Sequence, residues 1–178
     1  MGEFLKKKYW RLVKYWKTSA EMNSREILRQ ENELIFTHFR DEFLINLGMF
    51  GLNFCKNKNL PVALEIQTHG WTVFHGSLPG TSPENDSWIS RKARVVEMKH
   101  HSTLFERVNA EERGVDWYRE NNVSEKNFAI HGGGFPLTSE KNGYIGCIII
   151  SGLPQVEDHI LCVEVLSKFI GSQKTEND

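Results

Sequence analysis

Apolar side chains recur along this chain at two different spacings, which predict its helices and its strands. Between residues 41 and 57 they follow a helical spacing, at Phe43, Leu47, Phe50 and Phe54. This stripe predicts a helix that packs one face on a hydrophobic core. Three further helices are predicted from caps, charge and apolar spacing, over residues 26–33, 88–99 and 154–170.

The other spacing is the alternation of a half-buried strand. Residues 62–67 alternate apolar with small or polar side chains, and the His-Gly pair at 69–70 predicts a turn into a second strand over 71–78. Two further strands are predicted over 135–139 and 144–151, of which the second is mostly apolar and is expected to be buried on both faces. Strands joined by hairpins, with helices packed on them, indicate an antiparallel sheet in an α+β fold.

The helix caps follow from the polar residues that precede each helix. Ser24 is expected to cap the first helix, and Asn85 or Asp86 the helix over 88–99. The polar stretch over 111–126 shows neither period, and no structure is assigned to it.

The composition is that of a single globular domain. The chain has 178 residues, of which 39% are hydrophobic and 25% charged, and its formal net charge is −1. This balance argues against a dedicated nucleic-acid-binding domain, and no apolar run approaches the ~18 residues that a membrane span requires. Three cysteines without metal-ligand spacing lie in apolar stretches, which indicates reduced thiols in a cytoplasmic protein. We predict one domain over residues 22–171, between a basic extension over 1–21 and a polar tail over 172–178.

Positive charge is concentrated in the segment N-terminal to the predicted domain. Residues 1–17 hold six lysine or arginine side chains and one glutamate, with Trp10, Tyr15 and Trp16 among them. Such a segment is either a loosely held terminal tail or an anchor for an anionic membrane surface or nucleic acid.

A run of three glycines is the most distinctive local motif in the chain. The segment is His131-Gly132-Gly133-Gly134-Phe135-Pro136. Consecutive glycines serve a special backbone conformation or the close approach of another group. Two interpretations stay open: their N–H groups form a nest for an anionic ligand, or the segment is a tight connection between strands. It is neither a Walker A loop nor a dinucleotide fingerprint, because no helix with the required residues follows.

Two further segments combine chemistry-bearing side chains with the start of a helix. The first contains a carboxylate, an indole and two cations: Asp86, Trp88, Arg91 and Lys92. The second spans a junction from strand to helix: Ser151, Gly152, Asp158 and His159. Seven histidines are present, but no pair has the spacing of a metal site, so we predict none. No nucleophile elbow accompanies the serines, and catalytic residues stay unassigned.

Three stretches, over 85–92, 131–136 and 151–159, occur in an order and spacing that resemble a known family. Leu60-Pro61-Val62-Ala63 and Leu78-Pro79-Gly80-Thr81 match it as well. The chain resembles, from about residue 24 to 170, an uncharacterised family within the haem-degrading-domain superfamily, related to the GlcG and HbpS proteins. The resemblance implies a profilin-like three-layer α/β/α fold with a five-stranded antiparallel sheet, and a homodimer or a higher oligomer built from dimers. The chain departs from the family pattern at Thr103 and Gly134.

The first functional hypothesis implied by this resemblance is a small-molecule-binding protein without turnover. Its ligand pocket lies near the glycine loop, and the polar residues at strand ends and helix starts shape the structure or a subunit interface. These residues are Asp86, Ser151, Gly152, Asp158 and His159.

The alternative hypothesis is binding or degradation of haem, and the cofactor is left open with haem as the candidate. Haem needs an axial ligand, an apolar wall and cations for its propionates. The expected axial ligand is His131, with His101 second. Arg91 and Lys92 are the expected propionate partners, and Trp88 or Phe135 the expected wall.

Overall fold

The computed structural model describes residues 22–175, so the predictions for the basic extension lie outside the described residues. Its helices are α1 (Ser24–Glu33), α2 (Glu42–Asn57), α3 (Pro83–Lys99), α4 (Thr103–Arg113), α5 (Trp117–Glu120) and α6 (Gln155–Thr175). Its strands are β1 (Ile35–Phe36), β2 (Ala63–Thr68), β3 (Trp71–Ser77), β4 (Gly134–Ser139) and β5 (Gly143–Ser151).

The five strands form one sheet in the order β1-β4-β5-β2-β3. Neighbouring strands are antiparallel except for β1, which pairs in parallel with β4. The predicted α+β class and five-stranded sheet are therefore confirmed, and the predicted antiparallel pairing holds except for β1. The sequence pattern does not show β1, because two residues are too short for an alternation to be seen.

Helices cover both faces of the sheet, because successive side chains of a strand point to opposite sides. Leu64 and Ile148 belong to the core that α2 and α6 cover. Ala63, Cys147 and Ile149 lie on the opposite face, against α3. The expected three layers are thus present. None of the helices within residues 22–175 combines the length and the apolar character needed to span a bilayer.

A smaller apolar core lies outside these layers and holds the segment that joins α4 to β4. Val95 of α3, Ala110 of α4 and Trp117 of α5 form it. Trp117 is only 2% exposed, and its indole N–H donates to the buried Glu106 carboxylate at 2.6 Å. This core fixes residues 114–130 against α3 and α4, and the stretch left unassigned from sequence therefore has a defined structure.

The start of α3 differs from the prediction. The helix begins at Pro83 rather than near Trp88, and Ser82 is its N-cap. The Ser82 N–H donates to Asn85 Oδ1 at 2.9 Å. Asn85 therefore contributes to the capping of the helix from within its first turn, as the second member of a capping box. Neither Asn85 nor Asp86 is the cap, because a proline is favoured at the first helical position and extends the helix upstream.

Two other helix boundaries also differ from those predicted from the sequence. Asn23, rather than Ser24, caps α1 by accepting the Glu26 N–H at 2.9 Å. Helix α6 continues through Gly171 to Thr175, whereas the sequence predicts its end near residue 170. A single glycine costs a helix only about 1 kcal/mol, which a long packed helix tolerates.

Candidate functional site

The glycine loop and the basic helix α3 meet at one end of the sheet. The rings of His131 and Trp88 are in edge-to-face contact, with centroids 4.8 Å apart. The Arg91 guanidinium lies 4.5 Å from the centre of the Trp88 ring. The Arg91 Nε also donates to the Glu125 carbonyl at 3.0 Å. Arg91, Trp88 and His131 therefore form a stack that fixes the loop before β4.

The three glycines are packed against protein rather than open to a ligand. A Cβ on Gly133, whose φ is +115°, would lie 2.4 Å from the Ile150 carbonyl oxygen. The Gly134 N–H donates to Thr103 Oγ1 at 3.0 Å, and the Gly132 N–H to Gln155 Oε1 at 3.4 Å. The geometry supports the tight connection of the two interpretations, because two of the three amides already have acceptors inside the protein.

Lys92, predicted as a ligand-binding residue, is instead part of a buried ion pair. It is 2% exposed, and its ammonium donates to Asp158 Oδ2 at 3.0 Å and to the Ile150 carbonyl at 2.9 Å. Asp158 Oδ1 accepts the Leu153 N–H at 2.9 Å. Burial raises the pKa of Asp158, and the nearby Lys92 opposes that shift. This pair joins α3 to the start of α6.

The remaining residues at the strand-to-helix junction are also internal. His159 is fully buried, and its Nε2 lies 2.8 Å from Gln30 Oε1. Burial lowers the pKa of His159 to about 3. Ser151 is 4% exposed, and a Cβ on Gly152 would lie 2.1 Å from the Pro61 carbonyl oxygen. These residues are therefore packed against other parts of the fold.

Three predicted site residues lie apart from the stack around His131. Phe135 is fully buried in the main core. The Nδ1 of His101 lies 2.6 Å from Glu31 Oε2, which joins α1 to the α3–α4 junction. Asp86 is exposed and lies 3.4 Å from the His75 ring. The structure thus does not bring His101 or Phe135 together with His131 as one haem-binding set.

A pocket of about 320 Å³ opens beside His131, and we call it the His131 pocket. Helices α4 and α5 and the loop that precedes β4 enclose it. Its lining comprises Arg107, Ala110, Glu111, Val115, Trp117, Tyr118, Glu125, Ile130 and His131. The lining combines apolar side chains with polar and charged ones.

Three polar side chains contribute hydrogen-bond donors to this pocket. Arg107 donates through Nε to Glu111 Oε1 at 2.8 Å and through Nη1 to Gln155 Oε1 at 3.1 Å. Its Nη2 has no partner among the described residues. The Tyr118 hydroxyl oxygen accepts the Ile130 N–H at 3.4 Å, and its own proton has no acceptor within residues 22–175.

His131 is the third donor, and its environment keeps the ring neutral. Its Nδ1 is buried and has no hydrogen-bond partner within the described part of the chain. Burial lowers the pKa of His131, and the positive charges of Arg107, Lys92 and Arg91 lower it further. A proton on Nδ1 would be a buried N–H without an acceptor, which is rare in proteins. The hydrogen-bond geometry therefore assigns the proton of the neutral ring to Nε2.

The sequence predictions missed Arg107, Trp117 and Tyr118 because all three lie in or near the stretch without a clear period. Two signals were present. Asp116 is a strong helix cap, and it accepts the Tyr118 N–H at 3.0 Å. A tryptophan in an otherwise polar stretch also indicates a local packing centre.

Comparison with known proteins identifies the family. A family model described as haem degrading protein HbpS-like matches residues 39–167, which is more than half of the chain. The chain belongs to the HbpS-like haem-degrading protein family. The resemblance to this superfamily inferred from sequence is thereby confirmed.

Relatives and solved structures agree with this assignment. A UPF0303 protein of Streptomyces coelicolor is 38% identical over 146 residues, covering 82% of this chain and 92% of the relative. The crystal structure of Ybr137w protein superposes with a TM-score of 0.76 at 26% identity, covering 93% of this chain and 95% of that one. The crystal structure of a PduOC–haem complex superposes with a TM-score of 0.61 at 18% identity, covering 72% and 93% of the two chains. At that identity the last comparison shows a shared fold alone.

Proposed function

We propose that this protein binds a small molecule in the His131 pocket. The observation that carries the proposal is that His131 and Tyr118, two titratable side chains with shifted pKa values, line the same pocket. Burial lowers the pKa of His131 and raises that of Tyr118, so both side chains are neutral near pH 7. Shifted pKa values within a concave pocket are a mark of functional sites.

Haem fits the residues of this pocket poorly. A histidine that coordinates a metal presents one ring nitrogen's lone pair to the metal and donates its other N–H to a carboxylate or a carbonyl. His131 has the opposite arrangement, because its buried Nδ1 has no acceptor among the described residues. Lys92 is paired with Asp158, and Arg91 is held by the Glu125 carbonyl and by Trp88. The predicted propionate partners, Arg91 and Lys92, are therefore held in contacts within the protein.

A variant that fills the pocket tests the proposal. Val115 lines the pocket, is 37% exposed, and can be replaced by tryptophan without removing a hydrogen bond. Met98→Trp is the matched control, because Met98 is 42% exposed and does not line the pocket. Thermal-shift screening of metabolite-sized compounds should find ligands that raise the Tm of the wild type and of Met98→Trp, but not of Val115→Trp.

The same screen can overturn the proposal in two ways. Ligands that stabilise Val115→Trp as well as the wild type would place the binding site elsewhere. A library that stabilises neither the wild type nor Met98→Trp would contradict a small-molecule function for this pocket.

We also propose that the chain forms a homo-oligomer. Trp71 of the edge strand β3 is 73% exposed, and Met49 and Ile45 of α2 are 54% and 41% exposed. Large apolar side chains with this exposure are typical of subunit contacts. Sedimentation velocity should give a mass that is a multiple of 20.6 kDa, and Trp71→Ser should lower it. A monomer at micromolar concentration would overturn the proposal.

A further inference from the structure

The turn between β4 and β5 contains the pair Asn142-Gly143, and this pair occurs once in the sequence. Residues 140–143 are all exposed. The main-chain N–H of Asn142 donates to Ser139 Oγ at 2.9 Å, whereas its side-chain amide has no hydrogen-bond partner within residues 22–175. The side-chain amide is therefore in contact with water and is not held in place by the fold.

Gly143 leaves the main chain beside this amide open. Its φ is +69°, and none of the described atoms lies within 4 Å of a Cβ placed on it. Glycine has no side chain to shield its nitrogen, and it reaches backbone conformations that other residues rarely adopt. The nitrogen of Gly143 can therefore approach the carbonyl carbon of the neighbouring side chain, which is the geometry that asparagine deamidation requires.

We infer that Asn142 is a site of spontaneous deamidation and isoaspartate formation in the folded protein. The Gly143 main-chain nitrogen forms a bond to Asn142 Cγ, the bond from Cγ to Nδ2 breaks, and ammonia leaves with the proton that the Gly143 nitrogen gives up. Water then opens the resulting five-membered imide. Addition at Cγ gives aspartate, and addition at the main-chain carbonyl gives isoaspartate. Water is the sole co-reactant, and no electrons are transferred.

Two other exposed asparagines lack this arrangement and serve as internal references. Asn122 also has a positive φ, of +52°, but it is followed by Val123, whose N–H donates to the Tyr118 carbonyl at 3.0 Å. The β-branched side chain of Val123 also crowds that nitrogen. Asn53 lies inside α2, where the helix fixes the main chain that follows it. Exposure alone therefore does not create the site.

The isoaspartate product changes the main chain next to a contact between the sheet and α3. It adds a methylene to the backbone just before Tyr144, which pairs with Thr138 of β4. The Tyr144 hydroxyl donates to Glu97 Oε2 at 2.8 Å, and its ring stacks on that of His100 with centroids 4.0 Å apart. A displaced Tyr144 loses these contacts, so we expect the modified protein to be less stable.

The test is incubation of the full-length protein at 37 °C, followed by digestion and mass spectrometry. Deamidation increases the mass by the difference between water and ammonia. Asn142 should react at least tenfold faster than Asn122 and Asn53, and faster at pH 8 than at pH 6. The aged protein should also accept methyl groups from a protein isoaspartate methyltransferase. Asn142→Gln should abolish this acceptance, whereas the matched control Asn122→Gln should retain it.

The outcomes that overturn the inference are equally specific. Deamidation of Asn142 that is no faster than that of Asn122 contradicts the site, and so does methyl acceptance that persists in Asn142→Gln. The Tm of the aged wild type should fall, whereas fresh Asn142→Asp, which adds the charge without lengthening the backbone, should keep the Tm of the fresh wild type. An equal loss of Tm in Asn142→Asp overturns the structural effect assigned to isoaspartate.

Discussion

The imidazole of His131 stands edge-to-face on the indole of Trp88, with 4.8 Å between the ring centroids. This contact joins the loop before β4 to helix α3 and positions His131 at the wall of the pocket. The Arg91 guanidinium lies 4.5 Å from the centre of the Trp88 ring, so the indole contacts both a cation and the imidazole. The site depends on this stack and on the separate core around Trp117.

Hemin should not acquire an axial ligand from His131. The Nε2 of the ring carries the proton, so no lone pair is offered to iron at neutral pH without a change of tautomer that buries an unpaired N–H. Titration of hemin should therefore give the same absorbance spectrum with the wild type and with His131→Ala. A Soret band typical of histidine-ligated haem that disappears in His131→Ala would contradict this account.

His159 should make the protein less stable in acid. Burial lowers its pKa to about 3 from 6.5, so the folded state binds this proton less readily than the unfolded state. The free energy of unfolding should fall as the pH decreases below 6.5, with a slope from this residue that approaches about 1.4 kcal/mol per pH unit. Urea unfolding between pH 7 and pH 4.5 measures the slope.

A histidine variant isolates this contribution. His159→Gln keeps a donor for Gln30 and removes the titration, so its unfolding free energy should depend less on pH. His69→Asn, at an exposed turn, is the control and should keep the wild-type slope. If His159→Gln and the wild type have the same slope, the acid sensitivity has another origin.

The pairing of His101 with Glu31 should make the stability of helix α1 fall as the pH rises. The hydrogen bond from His101 to Glu31 raises the pKa of His101, so its stabilising effect is complete below pH 6.5 and is lost as the pH rises through the raised value. Hydrogen exchange of the α1 amides, corrected for intrinsic rates, should show protection that declines across this range. Glu31→Gln should remove the pH dependence, and His100→Asn should not. Identical profiles for Glu31→Gln and the wild type would rule out the pair as the cause.

Gly133 and Gly143 provide a matched test of the tight loop. Both have positive φ, +115° and +69°, but a Cβ on Gly133 would meet backbone oxygen at 2.4 Å, whereas none of the described atoms lies within 4 Å of one on Gly143. Gly143→Ala should cost about 1–2 kcal/mol from conformation alone. Gly133→Ala should cost at least about 2 kcal/mol more in denaturant unfolding, because the clash adds to strain. Equal losses would show that the loop is loosely packed.

Much of the architecture follows from the sequence, because its elements are stabilised by simple apolar patterns. Phe43 and Leu47 of the predicted stripe are both buried, and the alternation over 62–67 forms β2 as expected. Lys92 shows the limit of this reasoning. It lies in the helix between Ile89 and Val96, on the buried side, and its partner Asp158 is 66 residues away in the chain.

The pocket was not predictable for a related reason. Helix α5 has only four residues, which is too short for any period to appear. It is held by the contact of Trp117 with Glu106 of another helix. Such tertiary contacts decide the structure of a polar segment, and the sequence pattern alone does not show them.

The tautomer of His131 tests the account most directly, since the poor fit of the pocket to haem depends on it. Long-range ¹H–¹⁵N NMR of protein labelled at histidine should show His131 as a neutral ring with the proton on Nε2 at pH 7. A ring protonated on Nδ1, or an imidazolium at pH 7, would contradict the account.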